Sequence, residues 1–85
     1  MTKADILRDA AVHREQEVLH HQINIDNYRL AIAEIEQNHV GVAHMEEFGA
    51  RLRDLLTSSI HEQDKEKVLL KVVKAQLGEL ECISA

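Results

Sequence analysis

Residues 2–37 read TKADILRDAAVHREQEVLHHQINIDNYRLAIAEIEQ, and this stretch decides the fold. Leu7, Ala11, Arg14, Val18, His21, Ile25, Tyr28, Ile32 and Ile35 recur at alternating steps of four and three. That spacing lines them up on one face of an α-helix. Neither proline nor glycine interrupts the run. Thr2 and Asp5 have the spacing of a capping box, and Asp5 suits the positive end of the helix dipole. A second apolar stripe, Val12, Leu19, Ile23 and Leu30, lies roughly 120–160° around the same helix. One helix with two apolar stripes is expected to pack against two neighbours.

Outward from this helix, Asn38 to Gly41 is the first break, because Asn and Gly tolerate the left-handed conformation that ends helices. The next helix starts at Val42 or Ala43. Met45, Phe48, Leu52 and Leu55 form its stripe, with Leu56 alongside. Gly49 either weakens this helix or admits a close backbone neighbour. Ser59 and Glu62 have capping-box spacing, which would start a fresh helix near residues 57–60. Against this, steps of seven from Met45 reach Leu52, Ser59, Glu66, Val73 and Leu80 without loss of phase, which favours one continuous helix.

The expected organisation is therefore a single domain, residues 1–85, of all-α class. It has a helix over about 3–37, a turn over 38–42 and a helix over about 43–83, with residues 57–60 the one candidate break. Folding the chain at residue 40 pairs positions whose numbers sum to 80. Ile35 then faces Met45, Ile32 faces Phe48, Ile25 faces Leu55 and Ala11 faces Leu69. The same register gathers a polar layer of Arg14, His21, Ser59, Glu62 and Glu66, with Arg14 reaching Glu66 or Glu62. Such layers fix register in helical seams at some expense of stability. Val12, Leu19, Ile23, Leu30, Leu56, Val68, Leu70 and Leu77 are left over as an apolar strip that a soluble monomer would not expose. A homodimer of hairpins is the expected remedy, as a four-helix bundle or coiled-coil assembly.

Composition agrees. The chain has three glycines, no proline and one cysteine, a helical composition without a disulfide framework. Fifteen acidic residues outnumber ten basic ones, for a formal net charge of -5. The basic residues are dispersed among acids, so direct nucleic-acid binding is not expected. The apolar runs are too short to span a bilayer, and no signal peptide is evident. A cytoplasmic protein is the expectation.

Six histidines raise the question of metal. Glu17/His20 and Glu36/His39 both have Glu-x-x-His spacing, used in di-iron carboxylate bundles. The two pairs are about 28 Å apart along one helix, so a single chain cannot join them. Glu36, His39 and His44, with Glu47, are the candidates for a zinc- or nickel-type site at the hairpin tip, but ordinary cap and helix-surface polarity is the preferred account of them. No cofactor is expected. Ser58, Ser59 and Cys82 lack an assembled base and acid, and no phosphate-binding glycine loop occurs, so no catalytic residue is assigned.

The run His20-His21-Gln22-Ile23-Asn24-Ile25-Asp26 resembles a segment of the Gam family, phage inhibitors of a host recombination nuclease. The likeness covers seven residues of the chain. It implies a small accessory protein of tailed phages acting on a host protein. The reading that follows is a non-enzymatic helical module for protein–protein interaction, with an unidentified protein partner. Glu15, Glu34, Glu46, Glu47, Asp54, Asp64 and Glu79 are candidates for its acidic surface. A metal-binding helical bundle and a structural assembly component are the alternatives.

Overall fold

The computed structural model describes residues 1–84, with side chains through residue 82. Two helices, α1 (Lys3–Asn38) and α2 (Ala43–Ser84), pack side by side as an antiparallel hairpin. The rod measures 63 × 17 × 14 Å. Its long axis matches the 42 residues of α2 at about 1.5 Å each.

Local chemistry sets the ends of α1. The Thr2 hydroxyl accepts from the Asp5 backbone N–H at 3.1 Å, and the Thr2 N–H donates to the Asp5 carboxylate at 3.1 Å. Two donors that helix geometry leaves orphaned are thereby satisfied. The bond from the Thr2 backbone N–H foremost, and one with the Thr2 side chain after it, hold the Asp5 carboxyl below its ordinary value. At the other end the His39 N–H closes on the Ile35 carbonyl at 2.9 Å. The chain then reverses through Gly41, whose φ of 82° is the left-handed region that glycine occupies without strain. The Gly41 N–H donates to the Glu46 carboxylate at 3.1 Å, tying the turn to the first turn of α2.

α2 is continuous through residues 57–60. The Thr57 hydroxyl bonds back to the Arg53 carbonyl at 3.1 Å within the helix, instead of competing to end it. Ser59 is half-buried on the seam.

The seam differs from the expected one in half of its α2 residues. Across the helices Arg14 meets Glu66, a pair summing to 80 as expected, while Gln63 reaches Val18 and Gln22, and Ile35 packs beside Gly49, pairs summing to 81, 85 and 84. Side chains lean toward the N-terminus of their own helix, and in an antiparallel pair that lean accounts for contacts whose residue numbers sum to a little more than 80. The buried and half-buried positions of α2 are Met45, Gly49, Leu52, Leu56, Ser59, Ile60, Gln63, Glu66, Leu70, Val73, Leu77, Gly78 and Leu80. Phe48, Leu55 and Leu69, expected in the seam, are 43%, 48% and 42% exposed. Exchanging those positions for their neighbours replaces the charged Glu62 with the neutral Gln63, which is far cheaper to bury. It also brings Leu77 inward in place of Gln76.

The core is thin. Among the described residues only Ala11, Ile25, Ile35 and Leu52 are buried apolar side chains, and no large side chain falls below 2% exposure. No described helix is long and apolar enough to cross a membrane.

Candidate interaction surface

Three surfaces of the rod can be built up from their residues. The first is the polar layer inside the seam. Arg14 donates to both oxygens of Glu66, at 3.1 and 3.0 Å, across the partly buried middle of the hairpin. This bidentate geometry is the strong form of an arginine–carboxylate pair. Gln63 is 5% exposed. Its amide donates to the Val18 carbonyl at 3.1 Å and to the Gln22 side-chain oxygen at 2.9 Å. No buried side-chain polar atom among the described residues lacks a partner. His21 and Ser59 are half-buried at the same level, and His21 stacks edge-on with His20 at 5.7 Å. Glu62, expected in this layer, points to solvent and pairs with Lys65 at 2.9 Å. That bond is the first cause holding the Glu62 carboxyl below its usual value, and the Lys65 charge adds to it. Gln63 was missed as a seam residue because either of two adjacent positions completes the same heptad.

The second surface is one edge of the hairpin. Arg8–Glu81 (3.5 Å), Glu15–Lys74 (3.0 Å) and Glu36–Arg53 (2.8 Å) link the helices there. Their residue numbers all sum to 89, so all three belong to the same side of the seam. Each residue is more than half exposed, and pairs of this kind contribute only about 0–1 kcal/mol each. Glu15 is thus engaged within the molecule, as Glu46 is by the turn. Glu34, Glu47, Asp54, Asp64 and Glu79 stand exposed, with Glu34 within 3.9 Å of His39.

The third surface is apolar. Val12, Leu19, Ile23 and Leu30 are 53%, 60%, 52% and 69% exposed on the side of α1 away from α2. Val68 is 63% exposed on α2. Leu56, Leu70 and Leu77, expected to share in an oligomer surface, lie half-buried in the hairpin's own seam; the shifted α2 face uses them internally. Phe48, Leu55, Leu69 and Val72 take their place as exposed apolar residues of α2.

The tip carries a cleft of about 350 Å³ lined by Ile35, Glu36, His39, Val40, Glu46, Gly49 and Arg53. The metal-ligand candidates do not converge there, because Glu36 is held by Arg53 and His44 is exposed outside the cleft. Nor does any group of three or more His, Cys, Asp or Glu among the described residues form a metal-holding cluster; Glu17 and His20 thus lie in no such group. A second cleft, of about 270 Å³, is lined by Lys67, Leu70, Lys71 and Lys74. In the His20–Asp26 run, Ile25 enters the core at 2% exposure and Ile23 faces outward, so the seven residues form no single surface. No protein-family model, curated protein or solved structure gives a significant match to this chain.

Proposed function

We propose that this protein is a non-enzymatic helical interaction module that works as a homodimer of hairpins and offers an acidic helical surface to a protein partner. One observation carries the reading. The chain exposes 6136 Å², whereas a compact protein of its 9.7 kDa mass exposes about 5100 Å². The excess of about 1000 Å² is close to the roughly 800 Å² that each partner gives up in a stable interface. Val12, Leu19, Ile23 and Leu30, each more than half exposed on the face of α1 away from α2, are part of that surface. The exposed carboxylates Glu34, Glu47, Asp54, Asp64 and Glu79 supply charge for steering toward a basic partner. The likeness of residues 20–26 to the Gam family would make that partner a host protein.

Sedimentation velocity over a concentration range from nanomolar to tens of micromolar tests the assembly. A mass twice that of the chain at micromolar concentration is the expected result, and a monomer throughout contradicts the reading. Affinity capture with the dimer, repeated with Asp54 and Asp64 changed to Lys, tests the acidic face. Unchanged capture by that variant would remove these carboxylates from the partner surface.

A further inference from the structure

From the order of residues on the outer face of α1, we infer that two copies of this chain pair α1 against α1 in antiparallel fashion, about a two-fold axis at the level of His21. The inference rests on the homodimer reading above and deepens it by naming the face and its register. The outer face forms its own heptad: Val12, Gln16, Leu19, Ile23, Asp26 and Leu30, at alternating steps of four and three. All six are exposed in the hairpin. The order is palindromic about residue 21. In the antiparallel arrangement Val12 meets the partner's Leu30, Leu19 meets the partner's Ile23, and Gln16 meets the partner's Asp26. Every apolar residue meets an apolar one. The one carboxylate meets an amide that can donate to it.

Other registers lose this match. A slip of one heptad sets Ile23 against the partner's Asp26 in one direction, and Leu19 against the partner's Gln16 in the other. Parallel pairing sets Asp26 against its own copy, two carboxylates facing across an apolar strip. The flanking charges favour the same solution. Arg29 makes no ion pair among the described residues, and here it stands beside the partner's Glu15. Two-fold symmetry makes that contact twice. Glu15 already holds Lys74 at 3.0 Å, so Arg29 joins an existing network. Its place on the flank leaves the seam of each hairpin undisturbed.

Disulfide trapping of the full chain tests the arrangement. In a Cys82→Ser background, Leu19→Cys chains mixed with Ile23→Cys chains should form the mixed disulfide at least tenfold faster than either forms its own. Leu19–Leu19 or Ile23–Ile23 cross-links in place of the mixed one would overturn the proposal. Leu19→Asp/Ile23→Asp should dissociate the dimer while leaving the helical circular-dichroism signal of the hairpin, since both residues lie outside the seam. Arg29→Glu should raise the dimer Kd about tenfold, as two exposed pairs become two repulsions. A dimer that survives the double aspartate variant and yields no mixed disulfide sinks this face but leaves dimerisation standing. A chain that stays monomeric at every concentration ends both readings.

Discussion

Alanine is expected to act in opposite directions at Gly41 and Gly49. At Gly41 the φ of 82° forces a Cβ into the left-handed region, so Gly41→Ala should destabilise by about 1–2 kcal/mol. At Gly49 an added Cβ would meet Ile35 at 3.7 and 3.8 Å, ordinary van der Waals contact, while the helix gains a better former. Gly49→Ala should stabilise by about 0.5–1 kcal/mol; urea midpoints of the two variants decide both signs. Arg14 and Glu66 should show the asymmetry of paired charges. Arg14→Ala leaves a carboxylate whose side chain is only 17% exposed without its partner, and should cost about 2–3 kcal/mol. Arg14→Met/Glu66→Leu should recover most of that loss, as a double-mutant cycle would measure. Asp5 gives a pH dependence of known sign. Its carboxyl is lowered from 3.8 by the bonds to Thr2, so its capping contribution is present above 3.8 and is lost as pH falls through the lowered value. Amide exchange in the first turn of α1 should therefore quicken below that pH, and Asp5→Asn should flatten the response.

For the helices as elements, the decisive variants are neighbours in sequence. Leu56 is in the seam and Leu55 is 48% exposed outside it. Leu56→Asp should cost about 3 kcal/mol or more by burying an unpaired carboxylate, whereas Leu55→Asp should stay within about 1 kcal/mol. Equal losses in thermal melts would contradict the placing of Leu56, and not Leu55, in the seam. These positions also mark how far the fold was legible in the sequence. The α1 face, the capping box, the reversal at Gly41 and the continuity of α2 follow from local periodicity and cap chemistry, which act over a few residues. The α2 face did not follow as cleanly. Met45, Leu52, Ser59, Glu66, Val73 and Leu80 belong to either seam, and a series opening on Phe48 and Leu55 looks larger and more hydrophobic than one opening on Gly49. The residues between them carried the answer: one choice buries Glu62 and Gln76, the other Gln63 and Leu77. The cost of desolvating a carboxylate outweighs the gain from one phenylalanine. Leu56, Leu70 and Leu77 were assigned to an outer surface for the same reason, while the α1 strip, fixed by a helix whose face was read correctly, stayed where its spacing put it.

As a whole molecule the hairpin is extended: its Cα radius of gyration is 18.9 Å, against about 12 Å for a compact domain of this length. With so thin a core, folding and assembly should be linked. The thermal midpoint should rise by a few degrees for each tenfold increase in protein concentration, and a midpoint independent of concentration would argue for a self-sufficient monomer. The direction of the chain has a mechanical consequence as well. Residues near Thr2 and Cys82 lie at the same end of the rod, the end bridged by Arg8 and Glu81. Tension applied there peels the helices apart, loading one layer at a time: first Arg8–Glu81, then Glu15–Lys74, then Arg14–Glu66, and last Ile35 on Gly49 beside the turn. A rod joined this way resists being snapped sideways far better than it resists being unzipped, and when released it has its own closed end from which to start again.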